Sequence, residues 1–229
     1  MAYDSDLFNY LANYITESRL ARFQEVIKHR TKYLTFVIED VFQPHNASAV
    51  VRSCDCFGIH DLHVIESRND YKTDKNIALG AGKWVNIHKY KDLENTTTNC
   101  LAHLKKQGYK IVATTPHKDD YTLSSIPINE PLAVVFGTEM AGITDEVKEN
   151  ADYFLKIPMF GFTESLNISV AAAITAQNLY ERVRASSAEW QLTDLEKQKV
   201  LLSWIKKSVK NSDLILDQFL KTRSGESLT

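Results

Sequence analysis

Three polar residues that could do chemistry, Ser165, Asn167 and Ser169, follow an apolar stretch at 153–157 and a segment at 158–164. Pro158 cannot donate to a sheet ladder, so a strand stops there, and Gly161 gives the next segment backbone freedom. From Ser165 onward, Leu166, Val170, Ala173 and Ile174 recur at helical spacing. Ser165 can cap that helix, with Asn167 and Ser169 in its first turn. A loop running into a helix N-terminus presents unpaired N–H groups and the positive end of the helix dipole. An ordinary strand–loop–helix with a capping serine has the same spacing, so these residues alone leave both readings open. Two other clusters carry less. Cys54-x-Cys56 with His60 and His63 matches no standard metal spacing, and buried thiols are expected instead. The run Leu79-Gly80-Ala81-Gly82-Lys83-Trp84 has the look of a phosphate loop but lacks both glycine fingerprints, and reads as a plain loop.

The elements that must position these residues alternate. Helices are expected over 4–17 and 18–30, the second with an apolar stripe of Leu20, Phe23, Val26 and Ile27. A buried strand at 34–39 precedes a helix at 46–57 with Ala49, Val50, Ser53 and Phe57 along one face and Gly58 as its cap. Strands follow at 62–65, 109–114 and 131–136, with a helix at 96–107 between the first two. Helices at 166–184, 193–210 and 212–221 complete the chain. Such alternation argues an α/β fold, a parallel sheet with helices on both faces. Ligands in such sheets sit beyond the carboxyl ends of strands. Three strand ends carry unusual polar or glycine content: Thr114-Thr115-Pro116, Gly137-Thr138-Glu139 and residues 158–161. One small ligand gathered by these loops is the economical inference.

Composition narrows the classes. The 229 residues are 44% hydrophobic, enough for a substantial core, and no run of 18 apolar residues or basic-then-apolar leader occurs. Three cysteines fit a reducing compartment, so a cytoplasmic location is expected. The net charge of −2 conceals an asymmetry: residues 19–32 carry +4 and residues 197–210 carry +5, which leaves −11 on the rest. Solvated helix faces explain either cluster alone, whereas two basic ends around an acidic middle fit a polyanionic partner better.

Three ordered motifs run through the middle of the chain. They are Asn46-x-x-Ala49-x-x-Arg52 with Phe57-Gly58, then Phe136-Gly137-x-Glu139-x-x-Gly142, then Ile157-Pro158-Met159 through Ser165-Leu166-Asn167-x-Ser169-x-Ala171. Together they resemble the SpoU family of RNA 2′-O-ribose methyltransferases over roughly residues 34–184. Pro44-His45-Asn46, Gly82-Lys83-Trp84, Ser203-Trp204-Ile205-Lys206-Lys207 and the flanking helices are most similar to its TrmH branch, which acts on guanosine-18 of tRNA. The resemblance implies a C-terminal trefoil knot of SPOUT type, which general connection rules would not suggest. It also implies S-adenosylmethionine as cofactor and a homodimer; from the residues themselves no metal or membrane is expected, and no DNA partner. Domain limits of 1–33 (helical extension), 34–186 (methyltransferase domain) and 187–229 (helical extension) follow.

By motif position, Thr114, Gly137, Ile157, Met159 and Leu166 would hold the cofactor. Arg52 would act on the ribose hydroxyl; since a guanidinium is effectively always protonated, clamping a phosphate and stabilising an alkoxide suits it better than accepting a proton. Asn46 would orient Arg52 or the ribose, and Glu139, Ser165 and Asn167 would hold the catalytic loop and substrate. Arg19, Arg22, Lys28, Arg30, Lys83, Arg182 and Arg184 would contact RNA, mostly at phosphates. The 33 residues ahead of the first strand are too few for a separate RNA-binding domain, and the basic flanks favour tRNA. Another tRNA or rRNA nucleotide, or an RNA-binding homologue without catalysis, remains an alternative from sequence.

Overall fold

The computed structural model describes residues 5–91, 94–118, 120–138 and 141–224. The chain divides into two compact units: Thr31–Trp190, and a second built from both ends, Met1–Arg30 with Gln191–Thr229.

The larger unit is a parallel sheet of seven strands among the described residues: β1 (Leu34–Glu39), β2 (Asp61–Ile65), β3 (Asn86–Tyr90), β4 (Lys110–Thr114), β5 (Tyr121–Thr122), β6 (Leu132–Phe136) and β7 (Tyr153–Lys156). Their order is β3-β2-β1-β6-β4-β7-β5. Every residue of β1 and β6 is buried, as expected of central strands covered on both faces. Alternation sends Leu34, Phe36 and Ile38 into a core with α3 (Pro44–Cys56) and α7 (Ile168–Ala185). Val37, Val135 and Ala113 face the opposite way, onto α5 (Thr96–Lys106) and α6 (Asp145–Asn150). Phe36 and Phe136 meet edge-on at 5.0 Å across the β1–β6 pair.

Several elements differ from the sequence expectation. β3 escaped it because its residues are polar and partly exposed at the sheet edge. α4 (Lys75–Ala78), α6 and β5 are too short to give a periodic signal. In α3, the buried apolar positions are Ala47, Val50, Val51 and Cys54, so the apolar face lies one position round from the expected stripe. In α7 the shift is larger. Ile168, Ala172, Thr175, Ala176, Leu179 and Val183 face the core, whereas Leu166, Val170 and Ile174 are 37%, 45% and 39% exposed. That helix is apolar on two sides, and spacing alone cannot say which side is covered.

The smaller unit is helical. α1 (Ser5–Ala12) stops earlier than expected, and α2 (Glu17–Val26) starts at a Thr16 cap whose hydroxyl accepts from the Arg19 N–H at 3.2 Å. α8 (Asp194–Ser208) opens with a reciprocal Thr193–Glu196 capping box, and α9 (Ser212–Ser224) follows. Phe23 and Trp204 pack at 5.7 Å between ring centroids. Among the described residues no helix is long and apolar enough to cross a membrane, and no His/Cys/Asp/Glu group could hold a metal ion.

Candidate active site

β4, β6 and β7 lie together in the sheet, and the loops beyond their carboxyl ends enclose a cavity of about 360 Å³. That is within the range of about 300–1,000 Å³ usual for small-molecule sites. Thr114, Gly137, Ile157, Met159 and Leu166 all line it, and so does Ser165. Apolar walls come from Phe136, Leu155, Ile168 and Ala171, hydroxyls from Thr115 and Thr138, and charges from Lys148 and Glu164. Flat apolar surface beside hydroxyls and both charge signs suits a ligand with a planar ring at one end and a zwitterion at the other.

Local sequence dictates how the wall at Gly137 closes. A Cβ there would lie 2.2 Å from the backbone carbonyl of Gly142, so only glycine fits. Thr138 and Gly142 exchange hydrogen bonds, Thr138 N–H to Gly142 O at 2.9 Å and Gly142 N–H to Thr138 O at 3.0 Å. Gly142 takes a φ of +68°, in the left-handed region. Glu139, expected to support the catalytic loop, lies outside the described residues.

At the third motif the cap differs from expectation. Asn167, not Ser165, caps α7: its Oδ1 accepts from the Ser169 N–H at 2.9 Å and the Ser169 hydroxyl at 2.6 Å. An Asn side chain reaches the backbone two residues on, which starts the helix later and leaves Ser165 exposed on the cavity wall. The Asn167 amide then donates to Asn46 Oδ1 at 3.0 Å, joining α7 to α3 across 121 residues of sequence. Asn46 is buried and donates to Gln43 Oε1 at 3.4 Å. Asn46 thus holds Asn167, and of its two expected targets, Arg52 and the ribose, Arg52 is not contacted among the described residues. Arg52 is exposed on α3, and its guanidinium has no hydrogen bond or ion pair among the described residues.

The expected RNA contacts separate into two groups. Arg19, Arg22 and Lys28 are exposed in the helical unit, Lys28 paired with Glu25 at 2.7 Å. Lys83 and Arg184 are exposed in the sheet unit, and Arg184 stacks over Tyr180 and Trp190 at 5.5 and 5.8 Å. Arg30 and Arg182 depart from expectation. Arg30 is 1% exposed, its guanidinium 5.3 Å from the Trp204 ring centroid, and cannot reach a phosphate. Arg182 is half-buried and donates to the carbonyls of Leu123 and Ile126, so its fork is already used within the fold.

Sequence reasoning passed over His117, Lys148 and Glu164 as cavity residues. Lys148 sits on the short α6, which gave no periodic signal. His117 lies three residues past β4, where proximity to Thr114 was the available clue. The Asn46–Asn167 contact has no local signature, because both residues double as helix-start types.

Comparison with known proteins gives a consistent picture. The model of the SpoU rRNA Methylase family matches residues 33–177. A tRNA (guanosine(18)-2′-O)-methyltransferase of Borreliella burgdorferi is 42% identical over 205 residues, 90% of this chain and 92% of that protein. One of Thermus thermophilus is 34% identical over 84% of this chain and 98% of that protein. The crystal structure of the A. aeolicus TrmH/SpoU tRNA modifying enzyme superposes with a TM-score of 0.74 at 33% identity, covering 85% and 98% of the two chains.

Proposed function

This chain belongs to the SpoU methylase family, and from that premise we propose that it transfers a methyl group from S-adenosylmethionine to the ribose 2′-hydroxyl of guanosine-18 in tRNA. The observation that carries the proposal is the Asn46–Asn167 hydrogen bond. It unites the first and third motifs at the rim of a cavity lined by every residue expected to hold the cofactor. The substrate assignment is supported by the names of relatives that align over nearly the whole chain.

The residues present fit the cofactor. Phe136, Ile157, Leu166 and Ala171 offer the apolar walls an adenine needs, Thr115 and Thr138 offer hydroxyls, and Lys148 and Glu164 offer charge to an amino-acid end. When bound, S-adenosylmethionine supplies an electrophilic methyl group on a sulfonium. The protein's part is to bring the ribose hydroxyl in line and stabilise the charge it develops. Asn167, fixed by Asn46 and Ser169, sets the start of α7 beside the cavity. Arg52 would clamp the neighbouring phosphate and stabilise the nascent alkoxide, and the hydroxyl proton leaves to solvent.

The same reading places a SPOUT-type knot in the sheet unit at 34–186, with helical extensions on either side, in a cytoplasmic protein. It makes the working molecule a homodimer. Support comes from the uncovered face of α7 at Val170 and Ile174, and from Phe160 and Phe162, fully exposed in the loop leading to it. Arg19, Arg22, Lys83 and Arg184 would bind phosphates. Incubation of the protein with unmodified tRNA and methyl-labelled S-adenosylmethionine, followed by nuclease digestion, is expected to yield labelled 2′-O-methylguanosine. The yield should fall at least about 100-fold in Arg52→Ala. Label on a base, or none with the wild type, would overturn the proposal.

A further inference from the structure

Glu39 ends β1, a central strand whose other described residues are apolar apart from Thr35. Its side chain is fully buried. Oε1 accepts from the hydroxyls of Thr97 and Thr144, each at 2.8 Å, and Oε2 accepts from the Thr144 N–H at 3.2 Å. No lysine, arginine or histidine pairs with it among the described residues. Burial pushes its pKa up, the hydrogen bonds from Thr144 and Thr97 pull it down, and neighbouring Asp40 adds to the rise. A carboxylate buried without a cation is costly, and a hydrophobic residue there would be cheaper for the fold alone.

The hydrogen bonds show what it holds. Thr144 directly follows Gly142 and Ile143, both on the cavity wall, and it caps α6, which carries the wall residue Lys148. Gly142 is locked to Thr138 by the paired backbone bonds, and its carbonyl leaves no room for any atom beyond Cα at Gly137. Displacing Thr144 therefore displaces Gly142, and with it Gly137 and Thr138. Thr97 lies on α5, whose residues do not line the cavity. We infer that Glu39 is a positioning residue for the cofactor, fixing the wall at Gly137, Thr138, Gly142 and Ile143 through Thr144; the inference rests on the methyltransferase reading above.

Steady-state kinetics on the full chain separate this role from a general structural one. Glu39→Gln and Thr144→Val are each expected to raise KM for S-adenosylmethionine about tenfold, because each leaves a buried group without its partner. KM for tRNA should stay within about twofold, since neither Glu39 nor Thr144 is among the residues expected to contact RNA. Thr144→Ser keeps the hydroxyl and should behave as wild type. Thr97→Val removes the other partner of the same carboxylate; it should lower the melting temperature yet leave KM for the cofactor unchanged. Unchanged cofactor KM in Glu39→Gln and Thr144→Val would overturn the inference. So would an equal rise in Thr97→Val, or loss of folding in both Glu39→Gln and Thr144→Val, since either reduces the contact to a structural tie. Wild-type protein measured alongside keeps the parent reading separate: if it transfers no methyl group, that reading fails, whatever the variants do.

Discussion

His63 points from β2 toward the α5 side of the sheet, 2% exposed, its Nδ1 2.9 Å from the Tyr90 hydroxyl. The ring of His88 stacks on it at 4.6 Å, and His88 Nε2 lies 2.9 Å from Asp61 Oδ1. Burial lowers the His63 pKa, the His88 charge lowers it further, Asp61 opposes both and His103 adds to the fall, giving about 3. For Asp61, burial raises the pKa, but the His88 hydrogen bond, the His60 charge and the Asn86 amide outweigh it and hold the carboxyl at about 2. The signs then separate by pH. A histidine whose folded pKa is depressed stabilises the fold above its unfolded value near 6.5, and that stability is lost as pH falls. Asp61 is ionised in both states until pH nears 4, so it contributes no slope above that. Between pH 8 and 5, His63 should therefore cost the wild type about 2 kcal/mol. Urea unfolding at the two pH values should show that loss, and His63→Asn, which keeps a polar partner for Tyr90, should abolish most of it. Equal pH slopes in the two proteins would exclude His63 as the cause.

Strand and helix identities were mostly legible in the sequence; the sides they present were not. β1 could be read as buried because LTFVIE is apolar almost throughout, and a central parallel strand needs that. α7 could be read as a helix, but its expected stripe of Leu166, Val170 and Ile174 is the uncovered side. The true core side, Ile168, Ala172, Ala176, Leu179 and Val183, is as apolar and differs only in phase. The candidate site was legible where a strand end placed it, at Thr114, Gly137 and Ile157. It was illegible where a tertiary contact made it, as at Asn46 with Asn167 or Glu39 with Thr144. One apolar side of α7 is buried against the core, and the exposed side at Val170 and Ile174 is where the proposed homodimer would bury surface. Val170→Glu with Ile174→Glu should leave monomer melting nearly unchanged, because both positions are exposed. Light scattering should then give about half the wild-type mass. A wild-type monomer, or an unaltered dimer in the variant, would remove this helix from the interface.

Charge belongs to the whole molecule. The +4 of residues 19–32 contains one member that cannot meet RNA, the buried Arg30, and one held by Glu25, Lys28. Arg19 and Arg22 are the exposed cations of α2 that carry the claim. Every phosphate left without its cation should flatten the slope of log affinity against log salt by about 0.7–0.9. Arg19→Ala with Arg22→Ala should thus weaken tRNA binding and reduce the slope by roughly 1.4–1.8, with little change in turnover at saturating tRNA. An unchanged slope would make α2 an ordinary solvated helix face.

The central claim concerns one oxygen, the 2′-hydroxyl of guanosine-18. Two tRNAs of the same sequence test it, one unmodified and one assembled with 2′-deoxyguanosine at position 18, each incubated with the protein and methyl-labelled S-adenosylmethionine. Both should bind with similar affinity, because phosphate contacts dominate binding. The unmodified tRNA should take up one methyl group per molecule and the deoxy tRNA none. Equal incorporation into the two would contradict the assignment of that hydroxyl as the acceptor.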